Sequence, residues 1–97
     1  MMNSKDRAYL RSLANTVEPI LQVGKSGITD NLIKQVNDAL EARELIKITV
    51  LETAPEDAKE TAIKLSNNSN SVVFQVLGRK ITLYRKRKKD SKISIDV

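Results

Sequence analysis

The stretch Val23-Gly24-Lys25-Ser26-Gly27-Ile28-Thr29 decides how this chain is read. On its N-terminal side a short apolar run behind a proline, Pro19-Ile-Leu-Gln-Val23, has the length and composition of a strand. On its C-terminal side Thr29-Asp30 opens a long pattern with helical periodicity. Two glycines therefore bracket Lys25 and Ser26 where strand hands over to helix. Glycine lets the backbone turn tightly and lets a ligand approach with no Cβ in the way. The first amides of the following helix have no intrahelical partner. With the helix dipole behind them they favour an anion, above all a phosphate. Lys25 adds a positive charge and Ser26 a hydroxyl donor, so the loop reads as a clamp for a backbone phosphate. A nucleotide-binding P-loop needs four residues between the glycines and a lysine after the second. A dinucleotide fingerprint needs a third glycine. This loop has neither feature, so the expected ligand is a polymer backbone, with no small-molecule substrate and no cofactor.

A GxxG by itself is most often only a tight turn, and the rest of the chain has to supply the weight. Upstream, residues 4–17 read as a helix. Ser4 is its cap, and Tyr9, Leu10, Leu13, Ala14 and Val17 form the apolar stripe. Lys5, Arg7 and Arg11 fall largely off that stripe, and Tyr9 is expected in the core with its hydroxyl at the edge. Pro19 confines Glu18 to extended conformations and stops the helix. Downstream, a second helix is expected over 29–42. Thr29 would be its N-cap, Asp30 suits the positive end of its dipole, and Ile28 can pack on Ile33 as a staple. Leu32, Ile33, Val36, Ala39 and Leu40 form its buried stripe, and Glu41, Arg43 and Glu44 a solvated end.

Leu45-Ile-Lys-Ile-Thr-Val-Leu51 is the clearest strand, with Ile46, Ile48 and Val50 on one face and Lys47 and Thr49 on the other. Thr53 and Glu56 fit a capping box, so the third helix is expected from there to about Leu65, burying Ala58, Ala62 and Leu65. Its early Glu56, Asp57 and Glu60 repel phosphates and place it away from any nucleic acid. Residues 67–71 read as a polar loop. Val72–Leu77 and Lys80–Arg85 read as two strands joined at Gly78-Arg79 by a type II′ turn. The order is α-β-α-β-α-β-β: an α+β fold with a four-stranded mixed sheet and helices packed on it. Residues 1–85 would be one domain, and 86–97 a flexible basic tail.

Composition narrows the chemistry. The 97 residues include no cysteine and no histidine, so the usual zinc sites and nucleophile–base pairs cannot be assembled. No apolar run approaches a membrane span, and Met-Met-Asn-Ser-Lys-Asp lacks a signal peptide's hydrophobic region. A cytoplasmic monomer with no metal and no membrane partner is expected. The net charge is +5, and it is unevenly distributed. Residues 1–78 carry nine Lys/Arg against ten Asp/Glu, whereas residues 79–92 carry eight Lys/Arg against one Asp. Basicity concentrated at one end suits a polyanion partner.

Lys5-Asp-Arg-Ala-Tyr-Leu-Arg11, Pro19-Ile-Leu-Gln-Val-Gly-Lys-Ser-Gly-Ile-Thr29, Ala39-Leu-Glu-Ala-Arg-Glu-Leu-Ile-Lys47 and Val76-Leu-Gly-Arg-Lys-Ile-Thr-Leu-Tyr-Arg85 together resemble the CRM domain. That is the chloroplast RNA splicing and ribosome maturation domain, here in its stand-alone bacterial, YhbY-like form. The resemblance covers about residues 4–85. It implies an RNA-binding domain with a fold similar to the C-terminal domain of bacterial translation initiation factor three. Stand-alone members are associated with precursors of the large ribosomal subunit, which implies ribosomal RNA as the partner and ribosome assembly as the setting. The family's GxxG loop corresponds to Gly24, Lys25, Ser26 and Gly27. Its basic surface would draw on Lys5, Arg7, Arg11, Lys47, Arg79, Lys80 and Arg85.

Four other readings compete. KH domains also clamp RNA with a GXXG loop, but that loop joins two helices and this one follows a strand. An RRM needs stacking aromatics on its sheet, and the chain has only Tyr9, Phe74 and Tyr84. Phe74 suits the core, and Tyr84 could stack at an edge. A small RNA-acting enzyme would need convergent acid–base groups, yet no paired carboxylates cluster near the loop, so no catalytic residue is assigned. A protein-binding module docked through the acidic third helix is the remaining alternative.

Overall fold

Seven elements follow one another in the computed structural model, which describes residues 4–86. They are α1 (Ser4–Ala14), β1 (Pro19–Val23), α2 (Asp30–Arg43), β2 (Leu45–Val50), α3 (Ala58–Ser69), β3 (Val72–Leu77) and β4 (Lys80–Tyr84). The sheet order is β1-β2-β4-β3. β1 and β2 pair in parallel across the α2 crossover, and β4 pairs antiparallel with both β2 and β3. The fold is thus the α+β arrangement with a four-stranded mixed sheet that the sequence predicts. β4 lies between β2 and β3, so the second β-α-β unit ends in a strand that β2 never touches.

Strand alternation divides the sheet into two faces. Val23, Ile46, Ile48, Val50, Ile81 and Leu83 meet Leu32, Val36 and Leu40 of α2 and Ala58, Ala62 and Leu65 of α3 in the main core. On the other face Leu45 and Tyr84 pack with Leu10 and Ala14 of α1, with Phe74 against them. Leu45 pairs with Tyr84 at one end of the ladder, and the same face continues as Lys47 opposite Thr82 and Thr49 opposite Lys80. α1 therefore covers an apolar patch at one end of this face, and Lys47, Thr82, Thr49 and Lys80 continue it, with Leu77 exposed beside Lys80. Among the described residues no helix is long and apolar enough to cross a membrane, and no group of three or more acidic residues could hold a metal ion.

Several local expectations are corrected. α1 ends at Ala14 instead of 17, because its last turn tightens: the Thr16 and Val17 amides donate to Leu13 O and Ala14 O, three residues back. The expected Thr53/Glu56 capping box is replaced by Asp57, whose Oδ1 accepts from the Glu60 amide at 2.8 Å. A turn over 51–54, closed by the Ala54 N–H to Leu51 O bond, and a bend over 54–56 come before the helix instead. α3 then runs on through the expected polar loop to Ser69. Ser66, Asn68 and Ser69 donate their side chains to Ile63, Lys64 and Leu65 carbonyls, a back-bonding that lets polar residues sit in a helix. The helix stops at Asn70, in the left-handed region at φ 53°. Glu44, expected in solvent, is fully buried with φ 67°.

The aromatics exchange places with expectation. Tyr84 is fully buried and its hydroxyl has no hydrogen-bond partner among the described residues; burial pushes its phenol pKa up, with Glu44 and Asp6 adding to the effect. Tyr9, expected in the core, is 42% exposed. The hairpin matches its prediction: Gly78 has φ 61° while Arg79 keeps a negative φ, the type II′ pattern. The basic tail expected at 86–97 lies outside the described residues from 87 onward.

Candidate nucleic-acid interface

The glycine loop leaves β1 at the end of the sheet where the β3–β4 hairpin also turns. The Leu51 amide donates to Val23 O, and the Val50 amide to Arg79 O, so loop and hairpin flank the end of β2. Inside the loop the Gly27 amide donates to Gly24 O at 2.9 Å, closing a tight turn. Thr29 caps α2 by accepting from the Leu32 amide at 3.1 Å. That uses one donor of the first turn and leaves the Asp30 and Asn31 amides without an intrahelical partner. A depression of about 280 Å³ lies here, lined by Gln22, Lys25, Ser26, Thr29, Asn31 and the two glycines among others. Asp30, the carboxylate of that first turn, is absent from its lining. The arrangement offers an anion two glycines, a hydroxyl and an ammonium at the positive end of a helix.

The two glycines do different jobs. Gly27 has φ 68°, and a Cβ there would stand 2.9 Å from Pro55 Cγ. A Cβ on Gly24 would meet Leu51 Cδ1 at 3.6 Å, an ordinary contact. Gly27→Ala is therefore expected to cost about 1–2 kcal/mol for the left-handed backbone, with further loss as Pro55 is displaced. Gly24→Ala should melt within about 0.5 kcal/mol of the parent, yet bind RNA more weakly if a backbone presses against that Cα. Thermal melts and binding curves of the two variants check this. Equal stability of both would contradict the strain at Gly27.

The cations sort by face. Lys80 stands in the same row as Thr49 and Gln22, and Lys47 one row further along. These lie on the face that α1 shares, and Lys5, Arg7 and Arg11 are exposed on α1 itself. Lys25, Lys47 and Lys80 make no ion pair among the described residues. Arg79 lies 3.6 Å from Glu52, both well exposed. α3, with Glu56, Asp57 and Glu60 at its start and Lys59 and Lys64 along it, packs on the opposite face.

Arg85 is the exception among the residues singled out. Its Nη1 donates to Asn37 Oδ1 and to Ser69 O, both at 2.7 Å, and its Nη2 to Asn37 O at 3.1 Å. Glu41 lies 3.6 Å away, and the Arg85 side chain is only 22% exposed. The guanidinium is committed to tying α2, the end of α3 and β4 together. Period two had marked this position: Ile81, Leu83 and Arg85 all face the helices.

Sequence reasoning missed a second concavity, about 500 Å³, between α1, β1 and the end of α2, with Tyr9, Leu13, Ile20, Leu45, Glu18 and Arg43 in its lining. The available signal was angular. Tyr9 sits about 100° around the helix from Leu10, at the margin of the buried stripe.

The chain is matched over residues 2–85 by the model of the CRS1/YhbY (CRM) domain. It is 44% identical over 95 residues to a Bacillus subtilis protein named "Probable RNA-binding protein YqeI", covering 98% of this chain and 99% of that one. A Haemophilus influenzae protein named "RNA-binding protein" is 27% identical over 85 residues, covering 87% of this chain and 85% of that one. A Staphylococcus aureus solution structure, described as that of "a putative RNA binding protein", superposes with a TM-score of 0.79 at 46% identity. The match covers 99% of this chain and 100% of that one.

Proposed function

Because the chain belongs to the CRS1/YhbY (CRM) domain family, we propose that it binds RNA, and that it does so as an assembly factor on ribosomal RNA in large-subunit precursors. The observation that carries the RNA reading is that the glycine loop and the first turn of α2 lie at the end of the sheet where Gln22, Thr49 and Lys80 form the last row of the α1 face, with Lys47 one row further along. The loop would hold a backbone phosphate through Ser26, Lys25 and neighbouring amides. Lys47, Lys80, Arg79 and the α1 cations Lys5, Arg7 and Arg11 would supply the wider field that neutralises the chain of phosphates. Arg85 is left out, since its donors are spent inside the fold. Such contacts position a nucleic acid without reading its sequence. The ribosomal half of the reading rests on the resemblance to stand-alone members.

Gradient sedimentation of cell extract tests that half. The protein should travel with large-subunit precursors in preference to finished ribosomes, and nuclease treatment should release it. An even spread along the gradient, or recovery only at the top, would sink the ribosome-assembly role. Retention of a protein partner after nuclease digestion would favour the interaction-module alternative.

A further inference from the structure

Resting on that RNA-binding reading, we infer that the groove between α1 and β1 is a base pocket, in which one nucleobase of a single-stranded RNA stacks on Tyr9 while its backbone is held at the glycine loop. Folding leaves Tyr9 42% and Ile20 36% exposed, side by side over an apolar floor that includes Leu13 and Leu45. Apolar surface of this kind, open at one side, suits a ligand with flat apolar faces and a polar edge. Bases splayed out of a single strand stack on aromatic rings and on Arg guanidinium planes, and Arg43 stands in the same lining.

Glu18 is the residue that separates base from backbone. A carboxylate in the wall repels a phosphate, so the polymer backbone stays outside. The same carboxylate accepts a hydrogen bond from an exocyclic amino group, as acidic side chains do with cytosine. The groove is thereby suited to a base that carries an exocyclic amino group (cytosine, adenine or guanine) over uracil. Continuity with the loop comes through β1. Ile20 lines the groove and Gln22 lines the depression at the glycines. Both are exposed positions of β1, two residues apart. Lys5, one turn before Tyr9 on α1, adds positive charge along that flank of the helix.

The chain contains two tyrosines and no tryptophan, and Tyr84 is sealed in the core, so quenching of tyrosine emission by a stacked base reports on Tyr9. Short single-stranded oligocytidylate, oligoadenylate and oligouridylate are titrated while tyrosine emission and the anisotropy of an end label are followed. The expected result is quenching in the parent protein, stronger with cytidylate and adenylate. Tyr9→Leu should bind about ten-fold more weakly, the scale of one lost base–aromatic stack, and Tyr9→Phe should recover most of that loss without quenching. Glu18→Gln should narrow the preference against uridylate. If the parent protein is unquenched and Tyr9→Leu binds normally, while changes at Lys25 and Ser26 still weaken binding, the base pocket is overturned and the clamp stands. If no oligonucleotide binds the parent protein, the RNA-binding reading falls and the pocket with it. If a nuclease-resistant protein partner is lost with Tyr9→Leu, the groove belongs to a protein, which also overturns the proposal.

Discussion

Replacing Lys25 and Ser26 together by Asp is expected to weaken RNA binding by about a hundred-fold or more while leaving the fold intact. The double change removes an ammonium and a hydroxyl donor and puts two carboxylates where the phosphate must sit. A hydrogen bond to a charged group contributes about 1.5–3 kcal/mol, so losing two reaches about a hundred-fold before repulsion is added. Both residues are exposed and lie between the glycines whose turn is kept. Stability should therefore change by no more than about 0.5 kcal/mol. Truncation after Arg85 should act differently. It removes Lys86, Arg87, Lys88, Lys89 and Lys92, and each phosphate no longer neutralised lowers the slope of log K against log salt by about 0.7–0.9. The truncated protein should show a flatter slope and a similar loss for every RNA. Salt titrations with a thermal melt of each variant separate the two effects. A loop variant that melts and binds like the parent would show that Lys25 and Ser26 are not the clamp.

Arg85→Ala should cost the fold about 3 kcal/mol or more. Three hydrogen bonds and a nearby carboxylate are lost together, and Asn37 Oδ1 and Ser69 O lose the Arg85 donor in a partly buried site. Removing one partner of such a network leaves the other's desolvation uncompensated. For a domain of this size, each kcal/mol lowers the melting temperature by about 4–8 °C, so a drop of roughly 12–24 °C is expected. Arg85→Lys should recover only part of it, because an ammonium cannot reproduce the planar fork that reaches Asn37 and Ser69 together. Measured well below the melting point, RNA binding by Arg85→Ala should match the parent. A parent-like melt with weakened binding would return Arg85 to the interface.

The sheet and the loop were legible in the sequence because each rests on local chemistry. Ile46, Ile48 and Val50 announce a strand by period alone, Thr29 caps α2 as its type suggests, and Gly78 sets the hairpin. Failures came where the decision was made elsewhere in the molecule. Asp57 and Thr53 are both competent caps, and the approach of the loop around Pro55 to Gly27 accompanies the choice of Asp57. Tyr9 and Tyr84 have the same side chain, and only α1 docking on the Leu45–Tyr84 end buries one and strands the other. Arg85 read as basic surface because charge was counted along the chain. Its period-two position beside Ile81 and Leu83 carried the better information. The candidate site was readable as a motif, whereas bringing Lys47 and Lys80 onto one sheet face needed the strand order, with β4 placed between β2 and β3.

Backbone amide shifts, followed by NMR while a short single-stranded RNA is added at moderate salt, locate the phosphate seat most directly. The largest changes are expected at Gly24, Lys25, Ser26 and Gly27, extending to Asn31 at the first turn of α2 and to Lys80 across the sheet. α3 on the opposite face should stay unmoved. Changes centred on α3 or on β3, with the amides of residues 24–27 unshifted, would contradict a clamp at the glycine loop.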